Sequence, residues 1–178
     1  MGMRASDTAE LAFDGYAVPA ASLLGVEGRG FQQLAMGLQR ERIMAAVLAL
    51  SGAQQALDDT VSYLHQRTAF GESLANRQVL RHRVADMATE IEAARALVYH
   101  AAGLYAAGEE CVKDVSMAKL FATEVANRVA YQAVQLHGGY GYMREFPVER
   151  FFRDVRLWTI ASGTSEVMRE IIAKHLPL

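Results

Sequence analysis

Residues 30 to 66 read GFQQLAMGLQRERIMAAVLALSGAQQALDDTVSYLHQ, and this stretch decides the fold of the chain. Its apolar residues recur at steps of three and four, which places them on one face of a helix. This apolar stripe consists of Phe31, Leu34, Leu38, Ala45 and Leu48. Glu41 falls in the same series, so the pattern predicts a carboxylate on an apolar helix face.

A carboxylate on an apolar stripe has two interpretations. Glu41 pairs with Arg40, Arg42 or a neighbouring helix as a structural ion pair, or it lies in a poorly solvated pocket. Loss of water around a carboxylate makes it a better proton acceptor. The spacing alone favours the ion pair, and the second interpretation needs support from other parts of the chain.

The composition of the 178 residues is that of a folded protein, with 52% hydrophobic and 21% charged residues. The net charge of −2 indicates no basic surface, so we expect no nucleic-acid partner. The single cysteine, Cys111, cannot form an internal disulfide, which is typical of a reducing compartment. No apolar run approaches the about 20 residues that span a bilayer, and the first residues do not form a signal peptide. We expect a cytoplasmic protein without membrane insertion.

The first 28 residues differ from the rest of the chain. The segment 10–18 has the loose alternation of a strand, and Pro19, Gly25 and Gly28 follow it. A single strand cannot satisfy its own edges, and nothing later in the sequence supplies a partner. We therefore interpret residues 1–28 as the tail of a β-domain whose other strands lie upstream.

The remaining residues, 29–178, have helical periodicity almost throughout. The pattern predicts helices over 30–66, 75–107, 112–136 and 147–158, and a last helix with Thr164 as its N-cap. The predicted inner faces of the second and third helices are Val84, Met87, Ile91, Ala94, Val98, Ala101, and Val115, Ala118, Ala122, Val125, Val129, Ala133, Leu136. Short loops between long helices predict an all-α fold, an antiparallel four-helix bundle.

Three loops combine glycine with polar residues at helix ends. Arg67 beside Phe70 and Gly71 offers a phosphate-binding fork next to an aromatic ring, and residues 135–142 (QLHGGYGY) allow close backbone approach to a ligand. Residues 162–166 (SGTSE) present free N–H groups at a helix start. Taken alone, each loop is a weak signal, and the pattern of the first two favours an ordinary helix end over a ligand site. The five histidines lack metal-ligand spacing, and no histidine or lysine is placed to activate Ser162 or Ser165, so we predict neither a metal site nor a serine nucleophile.

Taken in order, these segments resemble the C-terminal part of an acyl-CoA dehydrogenase, and the long-chain and isovaleryl-type members most closely. The matching motifs are RASDTAEL…VP…LLG.EG.GF at 4–31, QRTAFG…Q at 66–78, QLHGGYGYMREFPVER at 135–150 and RDVR…I.SGTSE at 153–166. The resemblance implies a protein with an N-terminal helical domain, a central β-domain and this C-terminal bundle, assembled as a homotetramer, a dimer of dimers. Residues 1–28 would then be the tail of the central β-domain.

The resemblance also implies an FAD enzyme of fatty acid β-oxidation or related lipid metabolism that converts an acyl-CoA to a trans-2-enoyl-CoA. An electron-transfer flavoprotein would reoxidise the flavin. Most members carry the catalytic glutamate just before the GT of the last motif, where this chain has Ser162. The long-chain and isovaleryl-type members carry it in an ER pair on the first bundle helix, which corresponds to Glu41-Arg42. The resemblance therefore implies that Glu41 is the general base and that the backbone N–H of Ser162 binds the thioester carbonyl.

Other site residues follow from the same resemblance, position by position. It implies that FAD is bound by Arg67, Phe70, Gln78, Gln135, Leu136, His137, Gly138, Gly139, Thr164, Ser165 and Glu166, in part across a subunit interface. Gln39, Arg42, Tyr63 and Gly163 are expected to line the acyl-CoA pocket. A eukaryotic source would imply the mitochondrial matrix, with the targeting segment missing from this sequence.

Three functions remain open at this stage. The chain is the C-terminal part of an acyl-CoA dehydrogenase, inactive alone; or it belongs to a relative with other or no redox activity; or it is a helical bundle that serves only for oligomerisation. Ser162 supports the second interpretation, and Glu41 counts against it.

Overall fold

A computed structural model describes residues 1–177, and in these residues the chain forms three long α-helices and two short ones. The helices are α1 (Gly30–Gln66), α2 (Gln78–Ala106), α3 (Val112–His137), α4 (Pro147–Val155) and α5 (Ser165–Lys174). The five predicted helices are confirmed. The fourth is shorter than predicted, because the chain tightens into a 3-10 helix at Arg156–Thr159.

The core lies where α1, α2 and α3 meet, and α1 packs most extensively on α3. Both helices line this contact with small side chains: Ala46, Ala49 and Ala53 on α1, and Ala126 and Ala130 on α3, are all fully buried. Small residues allow two helix axes to approach closely. The predicted inner faces of α2 and α3 are confirmed, except that the first residue of the α2 face, Val84, is only partly buried.

The two short helices, α4 and α5, pack against the long helices of the bundle. Pro147 is the first residue of α4, where its missing N–H costs nothing. Helix α4 packs on α1 and α3, and α5 packs on α3. Thr164 caps α5 as predicted, because its hydroxyl accepts a hydrogen bond from the N–H of Val167 at 3.3 Å.

The connection between α1 and α2 contains a small antiparallel hairpin that was not predicted. Its strands are β1 (Thr68–Ala69) and β2 (Glu72–Ser73), with Phe70 and Gly71 at positive φ in the turn. Two strands of two residues each are too short for the alternation that identifies strands in a sequence. The hydroxyl of Ser73 donates to the carbonyl of Leu64 at 3.0 Å and so ties the hairpin to the end of α1.

The predicted strand over 10–18 is not formed. Within residues 1–28 the structure has one 3-10 helix, Ala20–Ser22, and no strand. A strand in this segment would have no partner for its edges among residues 1–177, and a single strand cannot satisfy its own edges. The start of the segment is joined to α4, where the N–H of Met3 donates to Asp154 Oδ1 at 2.6 Å. None of the helices in residues 1–177 combines the length and apolarity needed to cross a membrane.

Candidate functional site

Helix α1 buries a different face from the one predicted. Of the predicted stripe only Ala45 is buried, whereas Phe31, Leu34 and Leu48 are 79%, 60% and 49% exposed. The buried face consists of Arg42, Ala45, Ala46, Ala49, Leu50, Ala53, Ala56, Leu57, Thr60 and Leu64. The close contact with α3 selects the side of α1 that carries the small residues, so the larger side chains face outward. Glu41 is exposed, and the predicted poorly solvated pocket is not formed by residues 1–177.

Glu41 nevertheless meets the last predicted motif. The hydroxyl of Ser162 donates to Glu41 Oε2 at 3.4 Å, although the two residues are 121 positions apart. Ser162 lies in the turn between the 3-10 helix and α5, which we call the Ser162 turn (residues 160–164). Its φ of 56° is in the left-handed region, and Gly163 follows with a φ of 106°. Two adjacent residues in this region make a sharp turn that needs support from its surroundings.

Arg42 supplies part of that support. Its guanidinium Nε donates to the carbonyl of Ser162 at 3.1 Å, and the residue is only 7% exposed. Burial lowers the pKa of Arg42, and the neighbouring Glu41 carboxylate opposes this effect. The salt bridges of the described residues include none that joins Glu41 to Arg40 or Arg42, so the predicted ion pair is not formed, and the Arg42 hydrogen bond goes to the turn.

Lys119 supplies the second hydrogen bond that supports the turn, and the sequence analysis did not identify this residue. Its side chain is fully buried on α3, and Nζ donates to the carbonyl of Gly163 at 2.6 Å. Burial, reinforced by the nearby Arg42, lowers the pKa of Lys119 to about 8, although Glu124 and Glu166 oppose the shift. Lys119 lies one helical turn from both Val115 and Thr123, on the inner face of α3. This position in the sequence could have identified it as a buried lysine.

The start of α5 forms one wall of a cleft. Thr164, Ser165 and Glu166 line a cavity of about 450 Å³ together with Arg128 and Arg156. The hydroxyl of Ser165 is buried, and no residue in the described chain forms a hydrogen bond with it. Glu166 is exposed, and hydrogen bonds from its own backbone N–H and the Thr164 hydroxyl hold the pKa of its carboxyl below the usual value. This cleft offers unused polar groups to a ligand.

A second group of predicted residues meets at the other end of α1, in what we call the aromatic cleft (Tyr63, Arg67, His137, Tyr140 and Phe146). The Tyr63 ring stacks on His137 with centroids 4.3 Å apart, and its hydroxyl donates to the His137 carbonyl at 3.2 Å. The Arg67 guanidinium lies 5.2 Å from the centre of the Tyr140 ring. Gln135, Leu136, Gly138 and Gly139 complete the walls of a cavity of about 460 Å³.

His137 serves the structure of this cleft. Its Nδ1 lies 2.8 Å from the carbonyl of Ala133, so Nδ1 carries the proton. Burial lowers the pKa of the imidazole, which keeps the ring neutral against Tyr63. The next residue, Gly138, turns the chain with a φ of 60°. In residues 1–177, no group of three or more His, Cys, Asp or Glu side chains is placed to hold a metal ion.

The structure separates two of the predicted substrate residues. Since a helix rises about 1.5 Å per residue, Arg42 and Tyr63 are about 32 Å apart along α1. Tyr63 therefore belongs to the aromatic cleft, whereas Gln39, Arg42 and Gly163 lie near Glu41. The side-chain Oε1 of Gln39 is buried and accepts no hydrogen bond from the described residues.

Phe70 and Gln78 lie on the surface beside the hairpin. Phe70 is 95% exposed at the hairpin turn, with the guanidinium of Arg77 5.9 Å from its ring centre. Gln78 is the exposed first residue of α2. Neither side chain contributes to the walls of the aromatic cleft.

Comparison with known proteins identifies the family. The family model "Acyl-CoA dehydrogenase, C-terminal domain" matches residues 28–176. An acyl-CoA dehydrogenase of Bacillus subtilis is 48% identical over 176 residues, which are 99% of this chain and 46% of that protein. An acryloyl-CoA reductase (NADH) of Anaerotignum propionicum is 46% identical over 176 residues, 99% of this chain and 45% of that protein.

A solved structure gives the same result for the fold. The crystal structure of an acyl-CoA dehydrogenase from Geobacillus kaustophilus superposes with a TM-score of 0.88 at 46% identity, covering 90% of this chain and 42% of that one. The chain thus spans less than half the length of the relatives it matches. Family model, sequence and fold agree with the motifs at 4–31, 66–78, 135–150 and 153–166: the chain belongs to the acyl-CoA dehydrogenase family and contains its C-terminal domain.

Proposed function

We propose that this chain is the catalytic bundle of an FAD-dependent acyl-CoA dehydrogenase that removes one hydrogen from each of the α and β carbons of an acyl-CoA thioester. The product is a trans-2-enoyl-CoA. The observation that carries the proposal is the contact of Glu41 with Ser162, which brings a carboxylate from α1 to the turn before α5. FAD, when bound, supplies the hydride acceptor.

Glu41 is the general base of this proposal. One carboxylate oxygen, Oε2, accepts the Ser162 hydroxyl, and Oε1 accepts no hydrogen bond from the described residues. A free carboxylate oxygen on a rigid helix is a suitable acceptor for the proton on the α carbon of the acyl group. An approaching acyl chain would also remove water from the carboxylate and strengthen it as a base.

The Ser162 turn binds the thioester carbonyl. The backbone N–H of Ser162 donates to no acceptor among residues 1–177. An N–H group held in place stabilises the negative charge that develops on a carbonyl oxygen when the α-proton leaves. This role needs a backbone amide only, so serine serves as well as glutamate. Gln39, with its unpaired buried oxygen, and Gly163 are the remaining candidates for substrate contact near Glu41.

The start of α5 fits part of FAD. The free N–H groups of a helix start bind anionic or carbonyl oxygens, and the Ser165 hydroxyl is a buried polar group that still needs a partner. Thr164, Ser165 and Glu166 would hold the cofactor on this side.

The aromatic cleft fits a second part of the cofactor. Arg67 offers a guanidinium fork for phosphate, and Gln135, Leu136, His137, Gly138 and Gly139 provide a wall that a flat or charged group can approach closely. Phe70 and Gln78 extend this surface at the hairpin. The two FAD-binding regions lie at opposite ends of α1, so we propose that the aromatic cleft of one subunit and the α5 start of another complete one site. This arrangement requires a homo-oligomer, as in a dimer of dimers.

Two further properties belong to the complete protein. An electron-transfer flavoprotein would collect the electrons after each turnover. The chain of 178 residues alone should show no turnover, since it spans less than half the length of its relatives.

Self-association of this chain without flavin would be the expected property of a pure oligomerisation module. Size-exclusion chromatography with light scattering measures this self-association.

The test of the proposed function is a chimera. This chain replaces the matching 176 residues of the Bacillus subtilis relative, and the flavin-loaded chimera is titrated without oxygen with acyl-CoAs of graded length and branching. We expect the flavin absorbance to bleach with the chimera and not with its Glu41→Gln variant. The preferred acyl chain follows from the same titration.

The matched control is Glu92→Gln, which neutralises a carboxylate that is 67% exposed on α2. This variant should bleach like the parent chimera. A Glu41→Gln chimera that bleaches at the parent rate, with its flavin retained, would exclude Glu41 as the base. A parent chimera that binds flavin and is not bleached by any acyl-CoA would contradict the proposed activity.

A second candidate function is reduction of a 2-enoyl-CoA with electrons from NADH. The similarity to the acryloyl-CoA reductase (NADH) of Anaerotignum propionicum supports it. The same residues would serve in reverse, with Glu41 returning the proton to the α carbon. Incubation of the chimera with NADH and a short 2-enoyl-CoA distinguishes the two directions, because only a reductase consumes NADH there.

A further inference from the structure

The Ser162 turn is held by two cations that have no counter-ion in hydrogen-bond contact among residues 1–177. Arg42 comes from α1 and donates to the carbonyl of Ser162, and Lys119 comes from α3 and donates to the carbonyl of Gly163. Both side chains are buried, and neither forms a salt bridge in the described chain. A buried charge without a paired carboxylate is costly, and a methionine would occupy similar space without that cost.

The two hydrogen bonds determine how the turn presents its N–H groups. The peptide bonds of the described chain are all trans, so each N–H points away from the carbonyl of the same peptide plane. The carbonyls of Ser162 and Gly163 face the two cations, and the N–H groups of Gly163 and Thr164 therefore face the opposite side. Neither of these N–H groups has an acceptor among residues 1–177.

The cations also act on the strength of these donors. A carbonyl that accepts from a charged group polarises its peptide unit, and the N–H of that unit becomes a better donor. Positive charge next to an N–H cluster further favours negative charge on a bound oxygen. Both effects are largest where water is excluded, as it is around the fully buried Lys119.

We propose that Lys119 is a positioning residue for the reaction: it holds the Gly163 carbonyl, fixes the peptide planes that follow Ser162, and so keeps the Ser162 turn in the shape in which the Ser162 N–H meets the thioester carbonyl. This inference rests on the proposed function. Lys119 touches neither the substrate nor the cofactor in this proposal and acts through the turn. Its own environment consists of Arg42 from α1, Glu124 from α3 and Glu166 from α5, together with the Gly163 carbonyl.

The first test observes the Gly163 carbonyl in the chain of 178 residues, without substrate or flavin. Gly163-Thr164 is the sole Gly-Thr pair in the sequence, so glycine labelled with ¹³C at the carbonyl and threonine labelled with ¹⁵N select this one peptide bond in an NMR spectrum. The resonance should shift as Lys119 loses its proton, with a midpoint near pH 8. A resonance that does not shift between pH 6.5 and 10 overturns the proposed contact.

Three variants test whether Lys119 causes the shift of the Gly163 carbonyl resonance. Lys119→Met should abolish it, and Lys119→Arg should leave the resonance near its low-pH position up to pH 10, because a guanidinium keeps its charge there. Lys174→Met removes a lysine whose side chain is 71% exposed on α5 and should titrate like the parent chain. The same midpoint in Lys119→Met would show that another group causes the shift.

The second test measures flavin bleaching in the chimera. Lys119→Met should slow bleaching at saturating acyl-CoA at least tenfold and change the acyl-CoA dissociation constant less than threefold. Lys119→Arg should recover most of the rate. Equal losses of rate and affinity, or a rate for Lys119→Met equal to that of the parent, would overturn the positioning role. A parent chimera that does not bleach contradicts the proposed function instead, and the NMR titration then still decides whether Lys119 holds the turn.

Discussion

The two halves of α1 differ in the kind of side chain that they bury. In the second half, Ala46, Ala49 and Ala53 are completely buried against the bundle. In the first half, Phe31 and Leu34 are mostly exposed, and the buried side chain is the charged Arg42. Residues 30–44 therefore bury a charge and expose apolar side chains, whereas residues 45–66 bury mainly apolar side chains, with Val47 and Leu48 left exposed. The contact with α3 and with the Ser162 turn decides burial in this helix, and side-chain hydrophobicity does not.

The largest effect is expected where charge is buried. The folded-state pKa of Lys119 is about 8, against its usual 10.5, so between these values the unfolded chain holds more protons than the folded chain. Stability should rise with pH through this window, by about 3 kcal/mol relative to Lys119→Met. Urea unfolding of both proteins at pH 7 and pH 10 measures the difference. Equal pH dependence in the two proteins would contradict the buried charge.

The next effect tests the small-residue contact in the second half of α1. Ala53→Leu adds three carbon atoms where the helix has no space, and we expect a loss of about 2 kcal/mol in the free energy of unfolding. Val47→Leu is the control, since Val47 is 42% exposed on the same helix and should change stability little. Urea denaturation followed by circular dichroism gives both values. Similar results for the two variants would show that the contact with α3 is loose.

A smaller effect is expected at the turn beside the first half. Gly163→Ala forces a side chain onto a residue with a φ of 106° and brings its Cβ within 2.8 Å of the Met168 methyl group. The methyl group can move, so the backbone strain dominates, and the loss should be about 1 to 2 kcal/mol. Gly103→Ala, in open space on α2, should instead stabilise the chain by up to about 1 kcal/mol. Thermal unfolding of both variants tests the pair, and a stabilised Gly163→Ala would mean that the turn relaxes.

The smallest effect is expected on the exposed stripe. Leu34 is 60% exposed, so Leu34→Gln should change the free energy of unfolding by less than about 0.5 kcal/mol. The same substitution at Leu57, which is 7% exposed, should be strongly destabilising. Urea unfolding of the two variants compares the faces of one helix. A large loss in Leu34→Gln would show that residues 30–44 pack against another part of the chain.

The sequence predicted the helices well and the environment of the site less well. Pro147 and Thr164 begin helices where their chemistry requires it, and the inner face of α3 is buried as its period indicates. The family resemblance implied separate roles for Glu41 and Ser162 in one site, and the structure brings the two side chains into contact. The stripe on α1 was the error, since periodicity gives the existence of a face and not the identity of its partner.

Local chemistry was sufficient wherever a residue acts within its own element. Helix caps and the glycine-rich end of α3 depend on neighbours a few positions away, which a sequence displays directly. The side of α1 that is buried, the distance between Tyr63 and Arg42, and the pairing of Lys119 with Gly163 depend on groups far apart in the chain. Only the packed helices decide these, because the free energy of burial is set by what each side chain meets in space.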